Sequence, residues 1–174
     1  MAKIEIILGS DSDLICFRSA IEMLDGFSVG YKIHIASAHR SPEKVKQVLH
    51  AAEASGTQVI IAAAGMAAHL PGVVASQTLI PVIGVPIGKT FDGMDALFSI
   101  VQMPTGFPVA TVAVDASQNA VLLALQMMAT TDADLRAKLV IYRQSLADTV
   151  EKKDKELQLL GVKGYLAKYS AGKK

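Results

Sequence analysis

The chain has 174 residues and a mass of 18.4 kDa, which is close to the commonest size of a single domain. Hydrophobic residues make up 51% of the sequence and charged residues 19%, and these proportions exclude an intrinsically disordered protein. The net charge of +1 argues against a dedicated nucleic-acid binder, which usually has a strongly basic surface. We therefore predict one folded domain with apolar surface left over for contacts between subunits.

The first part of the chain alternates short apolar runs with helical patterns, which is typical of β/α units on a parallel sheet. Residues 3–8 form the first predicted strand, and apolar residues recur at helical spacing over 14–24. A second strand is predicted at 29–35. In the helix that follows it, we expect Ser41 to cap the first turn and Pro42 to fit inside that turn.

The middle of the chain continues the alternation. Residues 58–63 form an uninterrupted apolar run, which predicts a strand buried on both faces. A short helix is predicted at 71–77 and a fourth strand at 81–85, closed by Pro86. The fifth predicted strand covers 109–114.

Three further helices are predicted, at 94–101, at 119–129 and from about 132 to 160. Together these elements predict an α/β fold with three layers, α/β/α: a flavodoxin-like parallel sheet with a long C-terminal helix. We expect residues 1–160 to form a single catalytic domain that includes the helical arm. Residues 161–174 are expected to be a flexible basic tail.

The cysteine content and the N-terminal sequence both bear on location. Cys16 is the single cysteine, so no intrachain disulfide can form and a reducing compartment is expected. The N-terminal residues have neither the pattern of a signal peptide nor an apolar run long enough to cross a bilayer. We therefore expect a cytoplasmic protein.

Polar clusters follow the first three predicted strands, at 9–13, 37–42 and 65–72. Sheets of this type bind ligands beyond the carboxyl ends of their strands. The glycine, hydroxyls and carboxylates of the first cluster suit a nucleotide, although they could equally do no more than cap the following helix.

Histidine and arginine side chains supply the candidate chemistry of the other two clusters. Arg40 offers a planar fork of donors to a phosphate, and His39 can exchange a proton near neutral pH. His69 lies in the third cluster, and an alternative interpretation is that it is a partly buried histidine with a structural role. We assign His34 and His50 to structure or solvent, and no spacing of ligand residues predicts a metal site.

Four motifs of the chain resemble, in order and spacing, the bacterial N5-carboxyaminoimidazole ribonucleotide mutase family of purine biosynthesis. They are residues 9–13 (Gly-Ser-Asp-Ser-Asp), 37–40 (Ser-Ala-His-Arg), 67–72 (Ala-Ala-His-Leu-Pro-Gly) and 99–104 (Ser-Ile-Val-Gln-Met-Pro). The likeness extends over roughly residues 3–140. The chain departs from the family at Ala63 and Met66, where glycine is usual, and the Met66 side chain is expected to narrow the pocket.

The resemblance implies an isomerase that moves a carboxylate from the exocyclic nitrogen of the substrate to C4 of its aminoimidazole ring. The product would be 4-carboxy-5-aminoimidazole ribonucleotide, and the reaction would need no cofactor or metal. The resemblance also implies a homo-octamer of flavodoxin-like subunits, with active sites formed between subunits.

The resemblance further implies the roles of individual residues. His39 would be the general acid and base, and His69 would help to confine the carboxylate or carbon dioxide. Asp13 would bind the ribose and Arg40 the phosphate. The implied substrate-binding residues are Ser10, Ser12, Asp13, Ser37, Ala38, Arg40, Gly65, Ala67 and Leu70.

Alternative functions remain open from the sequence. The related animal-type enzymes carboxylate aminoimidazole ribonucleotide directly, but they have lysine in place of Arg40 and lack the motif at 67–72. A noncatalytic nucleotide-binding module of flavodoxin-like fold is a second alternative. A flavin-carrying electron-transfer protein is a third, which the absence of Trp and the presence of only four Tyr make less favourable.

Overall fold

The computed structural model describes residues 2–171 and contains one five-stranded parallel sheet. The strands are β1 (Ile4–Leu8), β2 (Tyr31–Ile35), β3 (Val59–Gly65), β4 (Val82–Ile87) and β5 (Ala110–Thr111). Their order is β2-β1-β3-β4-β5, and every neighbouring pair is parallel. This arrangement confirms the predicted flavodoxin-like order.

Six α-helices accompany the strands within the described residues. They are α1 (Arg18–Phe27), α2 (Pro42–Ser55), α3 (Leu70–Ala75), α4 (Met94–Val101), α5 (Ser117–Met128) and α6 (Ala133–Ala171). Two segments of 3-10 helix, Asp11–Phe17 and Phe91–Gly93, precede α1 and α4. None of the helices within residues 2–171 is both long and apolar enough to span a membrane.

The core lies on both faces of the sheet because side chains alternate along each strand. Apolar residues of α2 and α3 pack with Ile7, Ile60 and Ala62 on one face. Helices α1 and α5 contact each other, and α5 contacts β3 and β4. Strand β3 is buried over Val59–Ala64, as its uninterrupted apolar run predicts. The predicted three-layer α/β/α architecture is therefore present.

Strand β4 runs through Pro86, so the prediction that this proline closes the strand is wrong. Pro86 is aligned with Ala64 of β3. On its other side β5 pairs only with Ile83 and Gly84, so the missing N–H of Pro86 leaves no ladder partner unsatisfied. The Pro86 carbonyl still accepts a hydrogen bond from the Asp115 N–H.

Ser41 stands immediately before α2, but its side chain does not cap the helix, which corrects the prediction. Its Oγ accepts a hydrogen bond from the Ser37 N–H at 3.0 Å and donates one to the Ser37 carbonyl oxygen at 3.3 Å. The hydroxyl therefore closes the turn that follows β2. Pro42 does occupy the first turn of α2, as expected, and Gly56 ends the helix with a φ of 73°.

The chain divides into two compact units, and the second unit begins at Ala133. Within that unit α6 continues to Ala171, beyond the predicted end near residue 160. The backbone of Gly161 is non-helical, with φ 64° and ψ 167°, and interrupts the helix there. Residues 172–174 of the predicted basic tail lie outside the described residues.

Candidate active site

A cavity of about 310 Å³ opens at the carboxyl ends of β1 to β4, the edge where the sequence predicts ligand binding. It brings the three polar clusters together, although they lie far apart in the chain. Its lining residues are Gly9, Ser10, Asp13, Ser37, Ala38, His39, Arg40, Ala64, Gly65, Met66, Ala68, Leu70 and Lys89. The cavity is thus polar at the ends of β1 and β2 and mostly apolar at the end of β3.

The loop after β1 caps the following helix and also lines the cavity. Ser10 and Asp13 form a capping box at the start of the 3-10 helix, in which the Ser10 side chain accepts a backbone N–H. The reciprocal bond runs from the Ser10 N–H to Asp13 Oδ2, at 3.1 Å. Both residues also line the cavity. Helix capping and ligand binding are therefore compatible here.

Asp13 is only 2% exposed, and its carboxylate is paired with a lysine that the sequence analysis missed. Lys89 Nζ lies 2.6 Å from Asp13 Oδ1 and 2.8 Å from Ser12 Oγ. Lys89 follows β4 and is the basic residue of the loop at 88–92. Extending the search for polar clusters to the end of the fourth strand could have identified it.

Arg40 joins the loops after β1 and β2. Its Nη2 donates to the Gly9 carbonyl at 3.2 Å, and its backbone N–H donates to Ser37 Oγ at 3.2 Å. A guanidinium has five N–H donors, so most of them stay available to an anion. His39 precedes it on the same turn, is exposed, and lines the cavity. The arrangement puts a proton-exchanging group beside an anion-binding group.

His69 is held by a backbone carbonyl of α4 and is not among the residues that line the cavity. Its Nδ1 lies 2.5 Å from the Ser99 carbonyl oxygen. A carbonyl can only accept, so Nδ1 carries the proton and Nε2 is the acceptor of the neutral ring. The ring covers Gly72, where an added Cβ would lie 1.9 Å from His69 Nε2. His69 therefore has a structural role, and its catalytic role stays a prediction.

Two other predicted residues also lie outside the lining of this cavity. Ala67 is absent from it, although its neighbours Met66 and Ala68 are present. Ser12 lines an adjacent open cavity of about 450 Å³, and Lys89 lines both cavities.

Cys16 also lines the second cavity, and burial together with Asp115 raises the pKa of its thiol. A thiol that stays protonated near neutral pH is a poor nucleophile.

Met66 occupies a backbone conformation that glycine adopts more readily. Its φ is 60°, in the left-handed region, and its side chain is 57% exposed at the rim of the cavity. This geometry explains why glycine suits the position. Ala63, the other departure, is fully buried within β3.

The remaining histidines lie away from the cavity lining. His34 Nε2 is 2.7 Å from Oε2 of Glu5, a buried residue of β1. His50 is exposed on α2. The assignment of both to structure or solvent is confirmed.

Comparison with known proteins gives consistent matches. The family model described as AIR carboxylase matches residues 3–149. An N5-carboxyaminoimidazole ribonucleotide mutase from Pyrococcus horikoshii is 50% identical over 163 residues, which cover 93% of this chain and 92% of that protein. A phosphoribosylaminoimidazole carboxylase from Schizosaccharomyces pombe is 48% identical over 93% of this chain, which corresponds to 30% of that protein. The crystal structure of Treponema denticola PurE superposes with a TM-score of 0.81 at 29% identity, covering 88% of this chain and 97% of that one.

Proposed function

The chain belongs to the AIR carboxylase family, and from that premise we propose that it is an N5-carboxyaminoimidazole ribonucleotide mutase of de novo purine biosynthesis. It converts N5-carboxyaminoimidazole ribonucleotide to 4-carboxy-5-aminoimidazole ribonucleotide. The observation that carries the proposal is the convergence of His39, Arg40 and Asp13 on one cavity. In this proposal His39 transfers the proton, Arg40 binds the phosphate and Asp13 binds the ribose.

In the proposed complex, charged groups of the cavity lining orient the ribonucleotide. Arg40 binds the phosphate through guanidinium donors that its bond to Gly9 leaves available. The Asp13 carboxylate accepts a ribose hydroxyl. Ser10 and Ser37 add hydroxyls near these two groups, and Ser12 contributes from the adjacent cavity. The small residues Ala38 and Gly65 let the flat ring approach closely, and Leu70 gives it an apolar contact. Ala67, which lies outside the lining, is proposed to contribute from the neighbouring turn.

His39 moves the proton in both chemical steps of the proposed mechanism. Its imidazolium protonates the exocyclic nitrogen, the carbon–nitrogen bond breaks with its electron pair going to that nitrogen, and carbon dioxide leaves. The electron-rich ring carbon C4 then attacks carbon dioxide and forms the new carbon–carbon bond. Finally His39 takes the proton from C4 and restores the aromatic ring, so a single imidazole serves as acid and as base.

The apolar wall at the end of β3 retains the carbon dioxide between these steps. Ala64, Ala68 and Leu70 line that side of the cavity. Their apolar side chains exclude water and keep a small neutral molecule beside the ring carbon. His69 lies between two of these residues in the chain and is proposed to help confine the carboxylate.

We also propose that the protein is cytoplasmic and works as a homo-octamer, with sites completed between subunits. Apolar side chains of α4 at positions 94, 98 and 101 recur at helical spacing and are exposed in the single chain. Such a stripe is well suited to a subunit interface. Sedimentation velocity of the purified protein is expected to give a single species of eight chains, and a monomer would contradict the proposal.

Direct carboxylation is the second candidate, because the Schizosaccharomyces pombe relative is named a carboxylase. Arg40 and the motif at 67–72 favour the mutase instead. The deciding experiment supplies purified protein with N5-carboxyaminoimidazole ribonucleotide, or with aminoimidazole ribonucleotide plus bicarbonate, and follows the common product. We expect rapid conversion of the first substrate only. Efficient use of bicarbonate without the carbamate would instead establish the carboxylase.

A further inference from the structure

We propose that Lys89 is a substrate-positioning residue that acts through Asp13, by holding its carboxylate in place for a ribose hydroxyl. The inference rests on the proposed function, since it adds a residue to that same site. Lys89 is a part of the cavity lining that the motif resemblance does not include.

The charge of Asp13 is balanced by Lys89. A carboxylate that is 2% exposed is costly to bury unless a cation pairs with it, and Lys89 Nζ at 2.6 Å is its ion-pair partner among the described residues. The pair is electrically neutral. Without Lys89, the negative charge of Asp13 would repel a ligand that itself carries a phosphate and a carboxylate. Arg40 alone would then have to balance all of these charges.

The acceptor positions of the Asp13 carboxylate are mostly occupied. A carboxylate has about four acceptor positions. Three donors already contact it: the Ser10 N–H at 3.1 Å, Lys89 Nζ at 2.6 Å and the Ser12 hydroxyl at 3.4 Å. One position is left, and Asp13 is among the residues that line the cavity. The three existing contacts fix the direction of this last position, which suits a single ligand hydroxyl.

The Lys89 side chain is itself held in place by its neighbours. An added Cβ at Gly65 would lie 2.9 Å from Lys89 Cδ and 3.1 Å from its Cγ, so the missing side chain makes room for the lysine stem. The Nζ also contacts Ser12 Oγ at 2.8 Å. The side chain is 34% exposed, yet both its stem and its ammonium group have fixed neighbours.

The test is a double-mutant cycle of Lys89→Met and Asp13→Asn. Lys89→Met is expected to raise KM for the carbamate substrate about tenfold, the effect of losing one charged hydrogen bond, and to change kcat less than about threefold. Lys89→Arg is expected to restore most of the affinity. In the Asp13→Asn background, adding Lys89→Met is expected to change KM less than about twofold, because Lys89 has no carboxylate left to hold.

Additive effects of the two substitutions would overturn the proposal, because they would mean that Lys89 contacts the ligand independently of Asp13. An unchanged KM in Lys89→Met would also overturn it. If Lys89→Met alone unfolds, the comparison of Asp13→Asn with the double variant still tests the proposal, because the double variant buries no unpaired charge. Lys46→Met is the matched control: it removes an exposed ion pair with Glu43 and is expected to leave KM unchanged.

Calorimetric binding of ribose 5-phosphate separates this proposal from the proposed function. Lys89→Met is expected to weaken that binding about tenfold whatever reaction the protein catalyses. A wild-type protein that binds ribose 5-phosphate but lacks mutase turnover would contradict the proposed function, and a tenfold loss in the variant would still support the role of Lys89. Equal binding by wild type and variant would overturn that role.

Discussion

Two carboxylates of this protein are buried to the same extent but sit in different surroundings. Glu5 and Asp13 are each 2% exposed, and each has one partner from a distant part of the chain. Glu5 lies inside β1 and contacts His34 of the neighbouring strand at 2.7 Å. Asp13 lies just beyond the end of β1 and contacts Lys89 at 2.6 Å. Only Asp13 lines the candidate site.

The difference shows that burial and pairing do not by themselves identify a functional acid. Within the sheet, β1 is flanked by β2 and β3, and neither Glu5 nor His34 lines the cavity, so we assign this pair to stability. At the carboxyl edge the strands end and the loops separate, which leaves a paired carboxylate beside open volume. The sheet edge therefore determines which carboxylate can meet a ligand. The predictions below test this separation of stability from function.

The largest expected effect is on the cavity side, at His39. His39→Asn is expected to lower turnover of the carbamate substrate by at least about 100-fold, because asparagine cannot exchange the proton that both steps need. The stability should change by less than about 0.5 kcal/mol, because the side chain is exposed. Initial rates and urea unfolding at one protein concentration measure the two quantities.

The matched control for this variant is His50→Asn, since His50 is exposed on α2 and outside the cavity. It should leave both turnover and stability unchanged. Near-normal turnover in His39→Asn would remove His39 from the proton-transfer role.

Inside the sheet, at His34, we expect a loss of stability without a loss of activity. His34→Ala leaves the Glu5 carboxylate buried without its partner and is expected to lower the free energy of unfolding by about 2 kcal/mol. Both kcat and KM should stay within about twofold of the wild type, because neither residue lines the cavity. Urea unfolding and steady-state kinetics give the comparison.

A second substitution checks that the stability loss at His34 comes from the charge. Glu5→Gln in the His34→Ala background removes the unpaired charge and should recover part of the stability. A His34→Ala protein with wild-type stability but raised KM would contradict the division between sheet interior and edge.

The sequence predicted the elements whose signals are local. The continuous apolar run of β3, the helix at 94–101 and the three polar clusters all follow from residue type and spacing, and the structure places them as expected. The parallel order of the sheet also followed, because alternating β/α units have few alternatives.

The sequence did not reveal features that depend on contacts between distant segments. The pairing of Lys89 with Asp13 spans 76 positions of the chain, and the lysine stands in a loop without a motif. Residue type alone predicts a strand end at Pro86. The strand can continue through Pro86 because β5 is too short to need its missing N–H, and the length of β5 is not evident from the sequence. Likewise, His69 is oriented by the Ser99 carbonyl, a contact that residue types alone do not encode.

The smallest expected effect concerns Met66, which lies on the cavity side but is expected to alter stability more than proton transfer. Its left-handed backbone costs a non-glycine residue about 1–2 kcal/mol, whereas glycine loses about 0.5–1 kcal/mol of chain entropy. Met66→Gly is therefore expected to raise the free energy of unfolding by about 0.5 kcal/mol in urea titrations. Met23→Gly is the control, because Met23 lies inside α1 with a helical backbone, and it should lower stability by about 1 kcal/mol. If both variants lose stability equally, the backbone at Met66 is not strained, and the usual glycine there serves only to widen the cavity.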